Sequence, residues 1–394
     1  MPDKTPKGFL FSTAEAAIRK PGRKDIALIL SEVEANIAGA FTTNTVKAAP
    51  VKICMKKIKS GKGRAIVVNS GNANACTGAQ GIKDAKDVIS HISKQLAIKS
   101  SLIYPCSTGV IGTAMPMERV LPAISTLTEN VGKSFLEDIA KAIMTTDTFP
   151  KMVTKKIKIG NIIGTISGIC KGAGMIAPNM ATMLCFILTD IAVEQGVLNK
   201  TLKSSVGKSF NLITIDGDMS TNDTVLIMAN GMLGNKPLTV KSESLHAFQK
   251  ALDELTYELA RLVVKDGEGA TKLIEVYVKG TRNASDATRA ALSIANSSLV
   301  KTAIYGNDAN WGRIMAALGY SGIAFREEKT DIFFNNIKVV KDGLANNKDK
   351  EATETLRAKN IKITVDLHAG SASAKALTCD LTEEYIRINA EYRT

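Results

Sequence analysis

Between Lys171 and Asp190 the chain reads KGAGMIAPNMATMLCFILTD, and no other stretch constrains the fold as tightly. A glycine-rich turn runs into Ala181-Thr182, and an unbroken apolar run from Met183 to Leu188 follows at once. Such a run, bounded by turn residues, reads as a buried strand. A threonine at the mouth of a buried strand, behind glycines that admit other backbone closely, can present a hydroxyl nucleophile on a rigid support. A plain glycine turn before a core strand has the same pattern, so the segment alone leaves both readings open.

Helical and strand-like segments alternate along the chain. The clearest helix spans Ser244 to Val264, where Leu245, Phe248, Leu252, Leu255, Leu259 and Leu262 recur at spacings of three and four and Asp266-Gly267 ends the pattern. That stripe is core, not a cofactor box. Shorter helices are predicted at 82–97, 134–144, 198–210, 284–296 and 351–359. Strands are predicted at 65–69, 184–190, 224–228, 274–279 and 361–367. Gly160-Asn161, between Val153–Ile159 and Ile162–Ile166, reads as a hairpin turn. The mixture predicts an α/β or α+β fold. A smaller lobe is expected from about residue 281 to the end, with a surface loop over Lys341 to Lys350.

At 394 residues the chain suits two or three lobes with sizeable cores. Its net charge of +13 arises from lysines scattered over amphipathic segments. The densest run, Lys52 to Arg64, has no aromatic residue on which bases could stack, so a solvated basic face is expected and no nucleic-acid partner. A basic surface also favours small anionic substrates. The six cysteines form no CxxC pair and there are only three histidines, so neither a zinc site nor a disulfide framework is predicted. No apolar run reaches the length of a membrane span, and Met1 to Phe11 lacks a signal-peptide core. A soluble cytoplasmic protein is expected.

Histidine scarcity limits the chemistry. His91 and His246 lie within predicted helices and His368 follows a strand, so a Ser-His-Asp or Cys-His arrangement is disfavoured. A hydroxyl nucleophile would need another base. Four further segments combine glycines with small polar residues: NSGNANACTG (69–78), CSTGVIGT (106–113), DGDMSTNDT (216–224) and NDANWGR (307–313). Each alone could be a hydrogen-bonded turn, and Trp311 in the last reads as a packing anchor. Ser107-Thr108-Gly109 sets a hydroxyl beside an unhindered backbone N–H, the donors an oxyanion needs. No segment has the spacing of a phosphate loop, and no GxGxxG opens a helix after a strand.

KGAGMIAPNMATML, with CSTGVIG upstream and DGEGATK (266–272) downstream, resembles the ornithine acetyltransferases of arginine biosynthesis, also called glutamate N-acetyltransferases. The likeness covers nearly the whole chain: GFLFSTAEAAIRKPGRKDIALI, FTTNTVKAAPV, NSGNANACTG, TTDTFPK (145–151), DGDMSTND, DANWGRIMAALGYSG and the terminal CDLTEEYIRINAEYRT occur in the family's order. It implies an α+β, N-terminal-nucleophile-like layered sandwich of the DmpA/ArgJ type with a smaller C-terminal α+β lobe. It also implies self-cleavage between Ala181 and Thr182. The first chain would then be 1–181 and the second 182–394, with 182–280 completing the main catalytic domain and 281–394 the smaller lobe. The two chains are expected to stay associated, as a heterotetramer of two copies of each.

The cut supplies the missing base, because a freed α-amine titrates near pH ~7.7–8.0 and can take the proton of the Thr182 hydroxyl. The resemblance implies that Thr182 Oγ1 attacks the acetyl group of N2-acetylornithine. Thr108 and the Gly109 N–H hold the oxyanion, and glutamate then takes the acetyl group from the threonine ester. No metal or bound cofactor is expected. Thr148, Lys171, Thr182, Glu268, Asn389 and Thr394 match the family's substrate contacts, Lys171 as a cation for a carboxylate or for orienting the amine, Glu268 as an anion for ornithine's ammonium. Some family members also accept acetyl-CoA, making N-acetylglutamate directly, and no residue of the sequence decides between the two forms. Leu377 stands where many members carry tryptophan, which alters packing beside the C-terminal contacts. Two rivals share much of this pattern: an N-terminal-nucleophile amidohydrolase or aminopeptidase, which would give the acyl group to water, and a basic binding protein whose glycine segments are only turns.

Overall fold

The computed structural model describes residues 5–178 and 183–391. They fall into two compact units. The first comprises residues 5–172 together with 183–210 and 219–263, and the second comprises 173–178, 211–218 and 264–391. The sequence reading starts the smaller lobe at residue 281. The second unit begins earlier because the strand ending at Thr281 lies inside its sheet, between two other strands.

The first unit is built on eight strands: β1 (Phe9–Ala14), β2 (Ile26–Phe41), β3 (Lys62–Asn72), β4 (Ile103–Val110), β5 (Lys151–Ile159), β6 (Ile162–Lys171), β7 (Leu184–Thr189) and β8 (Thr224–Ala229). They run β4-β3-β2-β8-β7-β6-β5 across one sheet, with β1 added beside β2. β2 is long enough to serve three neighbours. Its first half pairs β1 and β3, and after an irregularity between Leu30 and Ala35 its second half pairs β8. β5 and β6 form the expected hairpin, in register from Lys151↔Cys170 to Ile159↔Ile162, and Gly160 takes φ +59° at the turn.

Both faces of this sheet are covered. Along β2, Ile26, Leu28 and Leu30 point to one core while Ala27 and Ile29 point to the other, and β3 alternates likewise. Helices α1 (Ala49–Lys57), α2 (Gly78–Leu96) and α3 (Met117–Glu129) line the first face through residues such as Ile53, Ile89, Ile92, Ile124 and Leu127, and α4 (Leu136–Ala142) meets the second. α5 (Gln195–Lys208) packs along β2. In α6 (Leu245–Lys265) the predicted stripe is buried at Phe248, Leu252, Leu255 and Leu259. Gly168 of β6 is the fit for α6: a Cβ there would lie 2.8 Å from both Leu255 and Leu259. Every residue from Met183 to Leu188 is at most 2% exposed, as the apolar run requires. Each such side chain contributes roughly 1.5–3 kcal/mol.

The second unit carries six strands: β9 (Leu273–Thr281), β10 (Asp331–Phe334), β11 (Ile337–Lys341), β12 (Leu344–Ala345), β13 (Asn360–Asp366) and β14 (Ala372–Cys379), ordered β12-β11-β10-β13-β9-β14. One face packs on α7 (Ala284–Asn296), α8 (Ser298–Tyr305) and α9 (Trp311–Gly319), with Ile274, Val276 and Val278 of β9 against Ala290, Ala291 and Ile294 of α7. Trp311 packs at the edge of this core, as its anchor reading predicts. α10 (Asp349–Thr355) and α11 (Glu383–Ala390) complete the described helices. The stretch 341–350 is largely exposed. No described helix is long and apolar enough to cross a membrane.

Candidate functional site

The first polar constellation lies where β3 and β4 end side by side. The strands are parallel, with Ser70 opposite Thr108 and Gly71 opposite Gly109, and the register breaks immediately after Gly71. Gly109 takes φ +134°, and a Cβ on it would lie 2.2 Å from Gly71 C and 2.5 Å from Asn72 N. Only glycine allows this approach. Thr108 is 3% exposed. The turn is tied from below: Asn222 Nδ2 donates to Ser107 O (2.7 Å) and Ala73 O (2.6 Å), and Ser107 Oγ donates to Asn69 Oδ1 (2.5 Å). Three of the segments singled out in the sequence, 69–78, 106–113 and 216–224, therefore meet in one hydrogen-bonded knot.

A second knot surrounds Lys171 at the end of β6. Lys151, which opens β5, is fully buried and donates to Asp147 Oδ1 at 2.6 Å. Lys171, 3% exposed, stands 4.0 Å from Asp147 Oδ2. The Gly172 and Thr145 N–H groups also donate to this carboxylate, at 2.7 and 3.0 Å. Burial pushes the Asp147 carboxyl up, but Lys171, Lys151 and the Gly172 N–H outweigh it and hold it at about 2. Lys171 is thus a buried, structured cation and not a solvated one. Thr148 is exposed on the same connection.

The strand mouth itself is gripped one residue after Thr182. The Met183 N–H donates to Asp223 Oδ1 (2.9 Å), and the Thr224 N–H donates to Met183 O (3.0 Å). Asp223 is completely buried and its Oδ2 has no hydrogen-bond partner among the described residues. Burial pushes its carboxyl well above the usual range, opposed by the Met183 N–H and by Lys171. Ala181 and Thr182, the proposed scissile pair, lie outside the described residues, as does Thr394.

The second unit brings Glu268 and Asn389 together, with Asn389 Nδ2 donating to Glu268 Oε2 at 2.8 Å. Glu268 is 8% exposed, and its carboxylate fills the space beside Gly174, where a Cβ would lie 2.4 Å away. Local chemistry sets this pairing. Asp380 Oδ1 accepts from the Thr271 and Lys272 N–H groups (2.8 and 2.9 Å), and the Thr382 hydroxyl donates to Gly269 O (2.8 Å) while capping α11. The DGEG turn is thereby bound to the start of the helix that carries Asn389. Asp216 holds the loop 173–178 by accepting from the Met175 and Ile176 N–H groups (2.6 and 2.8 Å), and Tyr385 Oη donates to Asp216 Oδ2 (3.2 Å).

Sequence reasoning assigned no role to Asp147, Lys151, Asp216, Asp223 or Tyr385, although all five lie inside motifs it quoted. None of the hydrogen bonds described above involves a histidine: His91 bonds Ser125, His368 bonds Asp331, and His246 is exposed. Among the described residues no group of three or more His, Cys, Asp or Glu could hold a metal ion.

Fold and polar clusters together define an enzyme of mixed α/β architecture, its polar residues gathered at strand ends. The family model described as ArgJ matches residues 10–394, and the chain belongs to the ArgJ family. It is 52% identical to the arginine biosynthesis bifunctional protein ArgJ of Geobacter sulfurreducens, over 98% of this chain and 99% of that one. It is 50% identical to the protein of the same name from Caldanaerobacter subterraneus, over 99% of this chain and 98% of that one. The crystal structure of the Bacillus halodurans ArgJ protein is 46% identical and superposes with a TM-score of 0.51, covering 52% of this chain and 97% of that one.

Proposed function

We propose that this enzyme of arginine biosynthesis is a glutamate N-acetyltransferase that moves the acetyl group of N2-acetylornithine to glutamate through an acetyl ester of Thr182. The chain first cuts itself between Ala181 and Thr182. The freed amine takes the proton of the Thr182 hydroxyl, whose oxygen attacks the acetyl carbonyl. The Thr108 hydroxyl and the Gly109 N–H stabilise the tetrahedral oxyanion. Ornithine leaves with the proton, and the glutamate amine then attacks the ester and restores the hydroxyl. Lys171 receives a substrate carboxylate or orients the amine. Glu268 with Asn389 takes ornithine's ammonium, and Thr148 and Thr394 complete the substrate contacts. The cycle needs no metal or cofactor. The two chains remain together as a heterotetramer in the cytoplasm.

The observation that best supports this reading is the grip on Met183. Residue 183 is fixed by its N–H and its carbonyl at the head of a buried strand, the kind of rigid support a nucleophile needs. Incubation with acetylornithine and labelled glutamate is expected to yield acetylglutamate faster than free acetate. Denatured protein should run as two fragments, the second beginning at Thr182, and Thr182→Ala should abolish both cutting and transfer. A wild-type chain that stays uncut yet remains active would sink the mechanism.

A further inference from the structure

Two carboxylates of the second unit, Asp216 and Glu268, each touch both the loop 173–178 and helix α11, and their hydrogen bonding separates their roles. Asp216 is saturated. Its Oδ1 accepts from the Ile176 and Asp218 N–H groups (2.8 and 3.2 Å), and its Oδ2 accepts from the Met175 N–H and the Tyr385 hydroxyl (2.6 and 3.2 Å). A carboxylate offers about four lone-pair sites, so nothing remains on Asp216 for a substrate. Glu268 is only half used. Asn389 Nδ2 donates to its Oε2 at 2.8 Å, and among the described residues no donor reaches Oε1.

One face of α11 serves both carboxylates. Tyr385 and Asn389 stand one helical turn apart, and Asn389 Nδ2 also donates to Tyr385 O (3.0 Å). On the loop side, Gly174 abuts the Glu268 carboxylate, the Glu268 N–H donates to Ala173 O (2.8 Å), and the next two residues of the loop bind Asp216. Met175 takes φ +55°, a left-handed conformation that a residue with a side chain keeps only where its surroundings impose it. The N–H bonds of Met175 and Ile176 to Asp216 supply that constraint. The Tyr385 hydroxyl is a dependable donor in this bridge, because burial and then Asp216, Glu268 and Asp218 push its titration far above the usual range.

We infer that Tyr385 and Asp216 are positioning residues for donor selection: their hydrogen bond locks the α11 face to the loop backbone, and these two supports hold Glu268 with one oxygen kept for the donor's side-chain ammonium. The inference rests on the reading of Glu268 as the group that takes ornithine's ammonium. Attraction between an ammonium and a carboxylate falls with distance, so a carboxylate that can swing discriminates less than one whose supports are locked. A donor without the ammonium gains nothing from the lock. The effect of breaking it is therefore confined to donors with a cationic side chain.

The test compares N2-acetylornithine with N2-acetylnorvaline, which has the same carbon chain and no side-chain amine, as acetyl donors to glutamate. It reads kcat/KM for each donor in wild type, Tyr385→Phe, Asp216→Asn, Glu268→Gln and Tyr385→Phe/Glu268→Gln, with melting curves to control for folding. Tyr385→Phe and Asp216→Asn are expected to lower kcat/KM for acetylornithine roughly tenfold, the scale of one lost hydrogen bond to a charged group, and to leave acetylnorvaline unchanged. Tyr385→Phe should add nothing in the Glu268→Gln background, because it acts through that carboxylate. A general packing role would lower both donors alike and would add to Glu268→Gln, and either result would overturn the inference. Full wild-type preference in Tyr385→Phe and Asp216→Asn, with preference lost in Glu268→Gln, would overturn the inference alone. Preference retained in Glu268→Gln would remove the ammonium reading of Glu268, and the inference with it.

Discussion

Lys151 is a lysine with no exposed surface, and its partner Asp147 also meets Lys171 and two backbone N–H groups. Removing one member of a buried ion pair leaves its partner's charge in a low-dielectric interior. Lys151→Met is therefore expected to destabilise the protein by about 3–5 kcal/mol, read from denaturant unfolding of the uncut Thr182→Ala protein carrying it. The same cluster predicts an acid limit. Asp147 is held at about 2, below its value in an unfolded chain near 3.8, so its contribution is complete above about pH 4 and is lost as pH falls toward 2. Near-ultraviolet circular dichroism over that range should show a loss of packing that is shifted in Asp147→Asn. None of this pairing is legible in the sequence. Asp147 and Lys151 are four residues apart, which reads as a helix pair or as chance, and Lys171 joins them only because β5 and β6 bring their ends together. Glu268 and Asn389 were legible as members of motifs, but their hydrogen bond across 121 residues needed the fold.

Local periodicity explains which elements could be read in advance. The stripe of α6 and the apolar run of β7 carry their own signal, and both were placed to within a residue or two. β4 did not, because IYPCSTGV contains a proline and a glycine, which argue against a strand. It is a strand all the same, at the edge of its sheet, where Pro105 costs no ladder partner on the open side and Gly109 serves the approach to Gly71. Gly109→Ala should thus act on the element as well as on the chemistry. The added methyl meets Gly71 backbone at 2.2 Å, so β3 and β4 must part at that end, and transfer should fall at least as far as for Thr108→Ala, roughly 100- to 1000-fold. Steady-state rates of the two variants make the comparison. In the second unit the element at stake is α11. Asp380→Ala strands two backbone donors and the Thr271 hydroxyl, costing roughly 1–3 kcal/mol, and should raise the KM for acetylornithine more than it lowers kcat if Glu268 and Asn389 bind substrate.

At the scale of the first unit, strand order and chain order disagree in a telling way. β7 and β8 come after residue 182, yet they lie in the sheet between β2 and β6, both of which come before it. After the proposed scission the central ladders β2–β8 and β6–β7 would join two separate polypeptides. The fragments 1–181 and 182–394 are therefore expected to copurify through native chromatography at any salt concentration, and their separation would contradict the scheme. The same interleaving makes history matter. The intact precursor can weave this sheet as one molecule, at a rate independent of its concentration. Once cut and fully denatured, the protein must find its own other half in solution, so recovery should slow with dilution, while Thr182→Ala should refold equally well at every concentration. The bond between residues 181 and 182 would then act as a folding tether that the finished enzyme has discarded.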